Sequence, residues 1–186
     1  TVRVEQDSLV LGNTVQVDIE GGWNLVRIDQ SGSNRAVAEI DGHSNIVSVT
    51  QTGSNAAQLE IDGSANLVAA TQNGAANSLS LQINGHGNNA LPFFSSGAHA
   101  SLAAGAQIAP GDIVQNGLSN SIDYNLGSDW LSSGNRFAFS QEGFGNRIEG
   151  NTNGNGNQVV VAQEGMLNFT SFVQVGNFNV IGISQR

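Results

Sequence analysis

The chain of 186 residues carries a net charge of −9, with 11% charged residues, 39% hydrophobic residues, 24 glycines, no cysteine and no lysine. Without cysteine there is no disulfide framework, thiolate metal site or cysteine nucleophile. Six scattered arginines are too few to neutralise nucleic-acid phosphates or to hold an anionic membrane surface, and the charge density is too low for a self-repelling disordered coil.

From the N-terminus, Val2-Arg3-Val4-Glu5-Gln6 alternates apolar and polar residues, the period-two pattern of a strand. Strands then open on asparagine at steps of mostly ten or eleven residues: Asn13, Asn24, Asn34, Asn45, Asn55, Asn66, Asn77 and Asn88. After a break they resume at Asn120, Asn135, Asn146, Asn157, Asn168 and Asn179. One strand type closes on glutamine, at Gln6, Gln30, Gln51, Gln72, Gln115, Gln141, Gln163 and Gln185. The other closes on Ile19, Ile40, Ile61, Ile83 and Leu126, and late in the chain on Thr152 and Gln174. Residues 45–61, NIVSVTQTGSNAAQLEI, show the whole unit: a strand, the turn Thr52-Gly53-Ser54, and a second strand.

Eight strands of the first type and seven of the second make about 7.5 repeats of 21–22 residues. A strand pair of that length cannot bury its own apolar face, so the expected fold is all-β: a single domain, 1–186, built as a two-sheet parallel β-solenoid about 36 Å long. The opening residue is Thr rather than Met, which fits prior removal of a targeting segment. No apolar run approaches the roughly 18 residues of a membrane span. In the inward set, large residues are expected opposite small ones, with Phe137 facing Gly150, Ala70 facing Leu79, Val26 facing Ala38 and Val159 facing Phe172.

The rhythm breaks twice, at residues 89–112, which hold both prolines, and at residues 127–134. Both insertions enter at the same kind of turn, one rung apart. Phe93, Phe94, Trp130 and Leu131 are expected to meet in a side lobe; the competing reading is a pair of tolerated surface loops. Trp23, Trp130 and Phe169 read as packing or lateral contacts.

Inward amides at strand ends, stacked one rung apart, can each donate to and accept from the copy above and below. The expected ladders comprise the eight glutamines together with Asn13, Asn24, Asn34, Asn45, Asn55, Asn66, Asn77, Asn120, Asn135, Asn146, Asn157, Asn168 and Asn179. The competing reading is that these amides only cap turns. No capping sequence closes either end, so Val2, Val4, Ile181 and Ile183 are the expected assembly ends.

On the outer face, Asp18, Glu39 and Glu60 recur every 21 residues, as do Glu20, Asp41 and Asp62. Stacked carboxylates can recruit Ca²⁺ or favour assembly at lower pH; the plainer reading is a solvated face that discourages lateral sheet addition. No cofactor is expected. His43, His86 and His99 show no metal-ligand spacing, and Ser95 or Ser96 near His99 lacks the surroundings of a nucleophile, so no enzymatic activity is expected.

The motif Asn66-x5-Gln72-x-Gly74-x2-Asn77-x-Leu79-x3-Ile83 resembles the curlin repeat of curli-type functional amyloids. So do Asn135-x5-Gln141-x-Gly143-x2-Asn146-x-Ile148-x3-Thr152 and Asn157-x5-Gln163-x-Gly165-x2-Asn168-x-Thr170-x3-Gln174. Asn stands where the curlin repeat opens on Ser, and the second Gln is mostly aliphatic. The resemblance implies secretion, cell-surface localisation and self-assembly into fimbria-like extracellular fibres of a biofilm matrix. The implied partners are further copies of the chain, a nucleator subunit and an outer-membrane secretion apparatus, with no nucleic acid and no membrane insertion. The alternative is a monomeric β-solenoid adhesin or binding module. An ice-binding surface would need flat threonine arrays, and a carbohydrate-processing β-helix would need paired carboxylates in a cleft.

Overall fold

The computed structural model describes residues 1–8, 12–127 and 132–186. Its elements are β1 (Val2–Asp7), β2 (Thr14–Glu20), β3 (Leu25–Gly32), β4 (Arg35–His43), β5 (Ile46–Ser64), β6 (Leu67–His86), α1 (Ala98–Gly105), β7 (Asp112–Leu118), β8 (Ser121–Leu126), β9 (Arg136–Phe144), β10 (Arg147–Asn153), β11 (Gln158–Met166), β12 (Phe169–Val175) and β13 (Val180–Gln185). They form a parallel β-solenoid. One face runs β1-β3-β5-β6-β7-β9-β11-β13, and the other runs β2-β4-β5-β6-β8-β10-β12. β5 and β6 continue through the corner, so each serves both faces.

The rungs are in register because the repeat places like residues at like heights. Gln6 pairs with Gln30, Gln30 with Gln51 and Gln51 with Gln72, and the same match resumes at Gln115, Gln141, Gln163 and Gln185. The corner after each glutamine from Gln30 to Gln163 holds a glycine. Gly53 has φ of 104°, and a Cβ there would lie 1.9 Å from the carbonyl oxygen of Gly74 on the next rung. The residue before most ladder asparagines also turns left-handed, Gly12, Ser33 and Ser54 excepted, even where it is Trp23, Leu167 or Phe178, with φ of 64°, 56° and 59°. Each such position strains a side chain with a Cβ.

Between the two faces lies one continuous apolar core, which takes in Val26, Ala70, Leu79, Phe137, Val159 and Phe172. The expectation that Phe137 fills the space above Gly150 needs correcting. A Cβ on Gly150 would lie 2.3 Å from Cζ of Phe172, its register partner one rung on. Phe137 instead packs edge-on to Tyr124 at 5.0 Å and stacks on Phe139 at 5.5 Å. Rungs are only about 4.8 Å apart, so a ring reaches the neighbouring rung as readily as the opposite sheet.

The first insertion leaves the solenoid after Asn89 and returns at Gly111. Asn89 bridges the cut: its Nδ2 donates to the Leu67 carbonyl at 3.0 Å, and its Oδ1 accepts the Phe137 amide at 2.9 Å. One side-chain amide therefore takes the place of a peptide unit between two rungs. The excursion then forms α1, which lies against the outer face of β11 and β13. Phe94, Ala103 and Ile108 bury Ala138 and Val160 there. The His99 backbone sits so close to Gly182 that a Cβ on that glycine would lie 3.1 Å from it. Phe93 is 62% exposed and takes no part, and Trp130 and Leu131 lie outside the described residues. Trp23 does not pack; it is 91% exposed.

Tyr124 is fully buried, and burial raises its phenol pKa. Its hydroxyl makes no hydrogen bond of ordinary geometry among the described residues, and the neighbouring Thr152 hydroxyl, which donates to Gln174 Oε1 at 3.3 Å, offsets only part of that rise. Tyr124→Phe is expected to raise unfolding stability by up to about 1 kcal/mol, and Gly150→Ala to lower it by about 1–3 kcal/mol, both read as denaturant midpoints.

Candidate assembly interface

Three buried amide ladders run the length of the solenoid. In the glutamine ladder each Nε2 donates to Oε1 of the next rung: Gln6 to Gln30 at 2.8 Å, Gln30 to Gln51, Gln51 to Gln72 and Gln72 to Gln115 at 2.7 Å, Gln115 to Gln141 and Gln141 to Gln163 at 2.9 Å, and Gln163 to Gln185 at 2.7 Å. The other Nε2 proton goes to the opposite sheet, as from Gln51 to the Arg35 carbonyl at 3.1 Å. Every link points the same way along the axis, so the ladder has a direction.

The asparagines form the other two ladders, one at each corner. One joins Asn13, Asn34, Asn55, Asn77, Asn120, Asn146 and Asn168. The second joins Asn24, Asn45, Asn66, Asn88, Asn135, Asn157 and Asn179. In both, Oδ1 accepts the backbone amide of the next rung's asparagine. Nδ2 closes a turn, as from Asn55 to the Thr52 carbonyl at 2.8 Å. Capping and laddering are thus two jobs of one amide. Asn88 belongs to this set although it was not among the expected ladder members; its position as a strand opener was the signal.

Among the described residues β1 pairs only with β3, β2 only with β4, β12 only with β10 and β13 only with β11. Val2 and Val4 are 48% and 41% exposed, while Ile181 and Ile183 are half-buried against the core. Gln185 Nε2 makes its bond to the opposite sheet, at the Phe169 carbonyl, but has no further glutamine beyond it.

The outer rows change character along the axis. Asp18, Glu39 and Glu60 lie in register, as do Glu20, Asp41 and Asp62. The first row continues as Gln82, Asn125, Asn151 and Val173. Gln82 donates to Glu60 Oε1 at 3.2 Å, and Asn125 donates to Gln82 Oε1 at 3.4 Å, so acids give way to amides and then to an exposed valine. Among the described residues no group of three or more His, Asp or Glu is placed to hold a metal ion.

The histidines act on the backbone or the insertion. His43 Nδ1 accepts the Gly22 amide at 2.7 Å, and His86 Nδ1 accepts the Ser64 amide at 3.1 Å. Ser95 Oγ lies 3.4 Å from His99 Nε2, and it accepts Gln158 Nε2 at 2.7 Å. Gln158 Oε1 in turn accepts the Ser95 amide at 2.8 Å. This trio fastens the insertion to the outer face of β11. Ser96 is exposed. Phe169, 53% exposed, has the Arg147 guanidinium 6.0 Å from its ring centroid.

Comparisons with protein-family models, curated proteins and solved structures find no match. Gln72→Ala removes a buried amide from the middle of a ladder and leaves its neighbours unpaired; it should lower stability by about 2–3 kcal/mol. Gln6→Ala, at an exposed strand, should lower it by less than about 1 kcal/mol in the same denaturation experiment.

Proposed function

We propose that this chain is a structural subunit of an extracellular curli-like amyloid fibre, growing end to end by strand addition. The observation that carries this reading is the set of in-register amide ladders, which continue into the first and last strands described. The glutamine ladder donates towards the C-terminal rungs and both asparagine ladders accept from them, so one further rung in register can extend all three. An exposed strand edge is a template for another chain, and soluble solenoids normally cap it. The ladders make the added rung specific, because a slip of one residue would bury unpaired amides at about 1–3 kcal/mol each. Acidic rows on the early rungs oppose sheet-to-sheet addition from the side and leave the axis as the favoured direction of growth.

On this reading the partner is a second copy of the chain. A nucleator and an outer-membrane secretion apparatus supply the first template and the route to the cell surface, as the likeness of the repeats to curlin implies. The fibre serves as biofilm matrix and adhesin, and no catalytic step is required.

Purified protein incubated at micromolar concentration should form unbranched fibres with a meridional reflection near 4.8 Å, seen by electron microscopy and fibre diffraction. A monomer that stays in solution without fibres would overturn this reading in favour of a monomeric adhesin or binding module.

A further inference from the structure

We infer that the corner bearing Leu118, Phe144 and Met166 is a docking edge for a second copy of the chain, with the two copies side by side and pointing the same way. Such a pair can form with or without a fibre.

The three residues are register partners on successive rungs, so their side chains stand in one row about 4.8 Å apart. Leu118 and Phe144 each have a rung on either side and are still 50% and 46% exposed, so they point sideways out of the stack. Leu167 folds back over Gly145, where a Cβ would lie 2.8 Å from its Cδ2, and broadens the ridge. With Phe169 it walls an open notch beside the row. The same corner position on earlier rungs holds Ser54 and Ala75, so the turn itself does not require large apolar side chains. A contiguous apolar ridge left in water marks a contact site.

The charges beside the ridge select both the partner and its direction. On one flank Glu142 and Glu164 are register partners, each two residues before a ridge residue. Glu164 has Arg186 at 3.4 Å, whereas Glu142 has no ion pair among the described residues. On the other flank stands Arg147, three residues after Phe144, with its side chain 60% exposed. Its ion-pair partner Glu149 lies two residues further from the ridge.

A two-fold axis along the ridge brings the acidic flank of each copy beside the Arg147 flank of the other. A two-fold axis across the ridge instead sets Glu142 and Glu164 against the same two residues of the partner, in a chain already at −9. Opposite charges thus favour the parallel pair, and like charges oppose the antiparallel one. The contact is isologous, one patch serving on both copies. The acidic rows from Asp18 to Glu60 and from Glu20 to Asp62 lie on the second face towards the opposite corner, outside this seam.

Sedimentation equilibrium on the freshly purified full chain should show a monomer–dimer equilibrium with Kd of about 0.01–0.5 mM, as a narrow contact implies. Leu118→Glu with Phe144→Glu should abolish the dimer and leave the denaturant midpoint unchanged, since both side chains lie outside the core. Arg147→Glu should raise Kd at least about threefold, and Glu142→Arg added to it should recover most of that loss.

Direction is read by cross-linking, which the absence of native cysteine makes direct. Ser54 lies on the same corner, three rungs from Phe144. In the parallel pair it faces its own copy, whereas an antiparallel pair centred on Phe144 separates the two by six rungs, about 29 Å. A bismaleimide spanning about two rungs should join Ser54→Cys chains into covalent dimers. It should not join Ser80→Cys chains, whose site is equally exposed on the outer second face. A chain that stays monomeric at about 1 mM, a dimer indifferent to the ridge substitutions, or Ser54→Cys that links no better than Ser80→Cys overturns the parallel docking edge.

Discussion

A carboxamide buried away from water must find its donors and acceptors in the protein, and here it finds them one rung away. That requirement sets the register of the whole molecule. The hydrophobic core would tolerate small shifts of one rung over another, since Val26, Val47 and Val68 are interchangeable in chemistry. The glutamines are not tolerant: a slip leaves Nε2 and Oε1 facing aliphatic carbon. A strand is parallel, and its partner is the equivalent strand one repeat away, because only that arrangement puts Gln51 between Gln30 and Gln72. Unpaired buried amides therefore exclude alternatives more than paired ones stabilise the native state.

The same rule governs where the chain departs from its repeat. Glycine appears at the corner after Gln30, Gln51, Gln72, Gln115 and Gln141 because the carbonyl of the next rung occupies the place of a Cβ. The insertion sits at a corner too, and it leaves the ladders intact on both sides. Its helix is laid over outward positions that are uncharged, Ala138 and Val160, whereas the early rungs place Arg3 and Arg27 in that row, ion-paired to Glu5 and Asp29.

The repeat length, the two strand types and the parity of the amides were all legible in the sequence, because each is a periodic signal carried by many residues. Features set by single contacts were not. Gly150 is small to admit Phe172 from the next rung, and a pairing scheme confined to one rung assigns that space to Phe137. The docking of α1 was not read either, though a signal existed: Val160 and Ala138 are apolar at outward parity, where an uncovered strand would carry polar side chains. Asn89 looks like one more loop asparagine until its partners Leu67 and Phe137 are known.

Asn89 has a consequence beyond this chain. A cross-β stack is ordinarily intolerant of interruption, since a missing peptide group leaves a hole in the hydrogen-bond column. Here a side chain splices the column, and more than twenty residues leave and return without the rungs above and below losing contact. The corner between Asn89 and Gly111 is thus a port. Passenger sequence threaded through it would be carried on the outside of the solenoid, while the amide columns inside continue undisturbed.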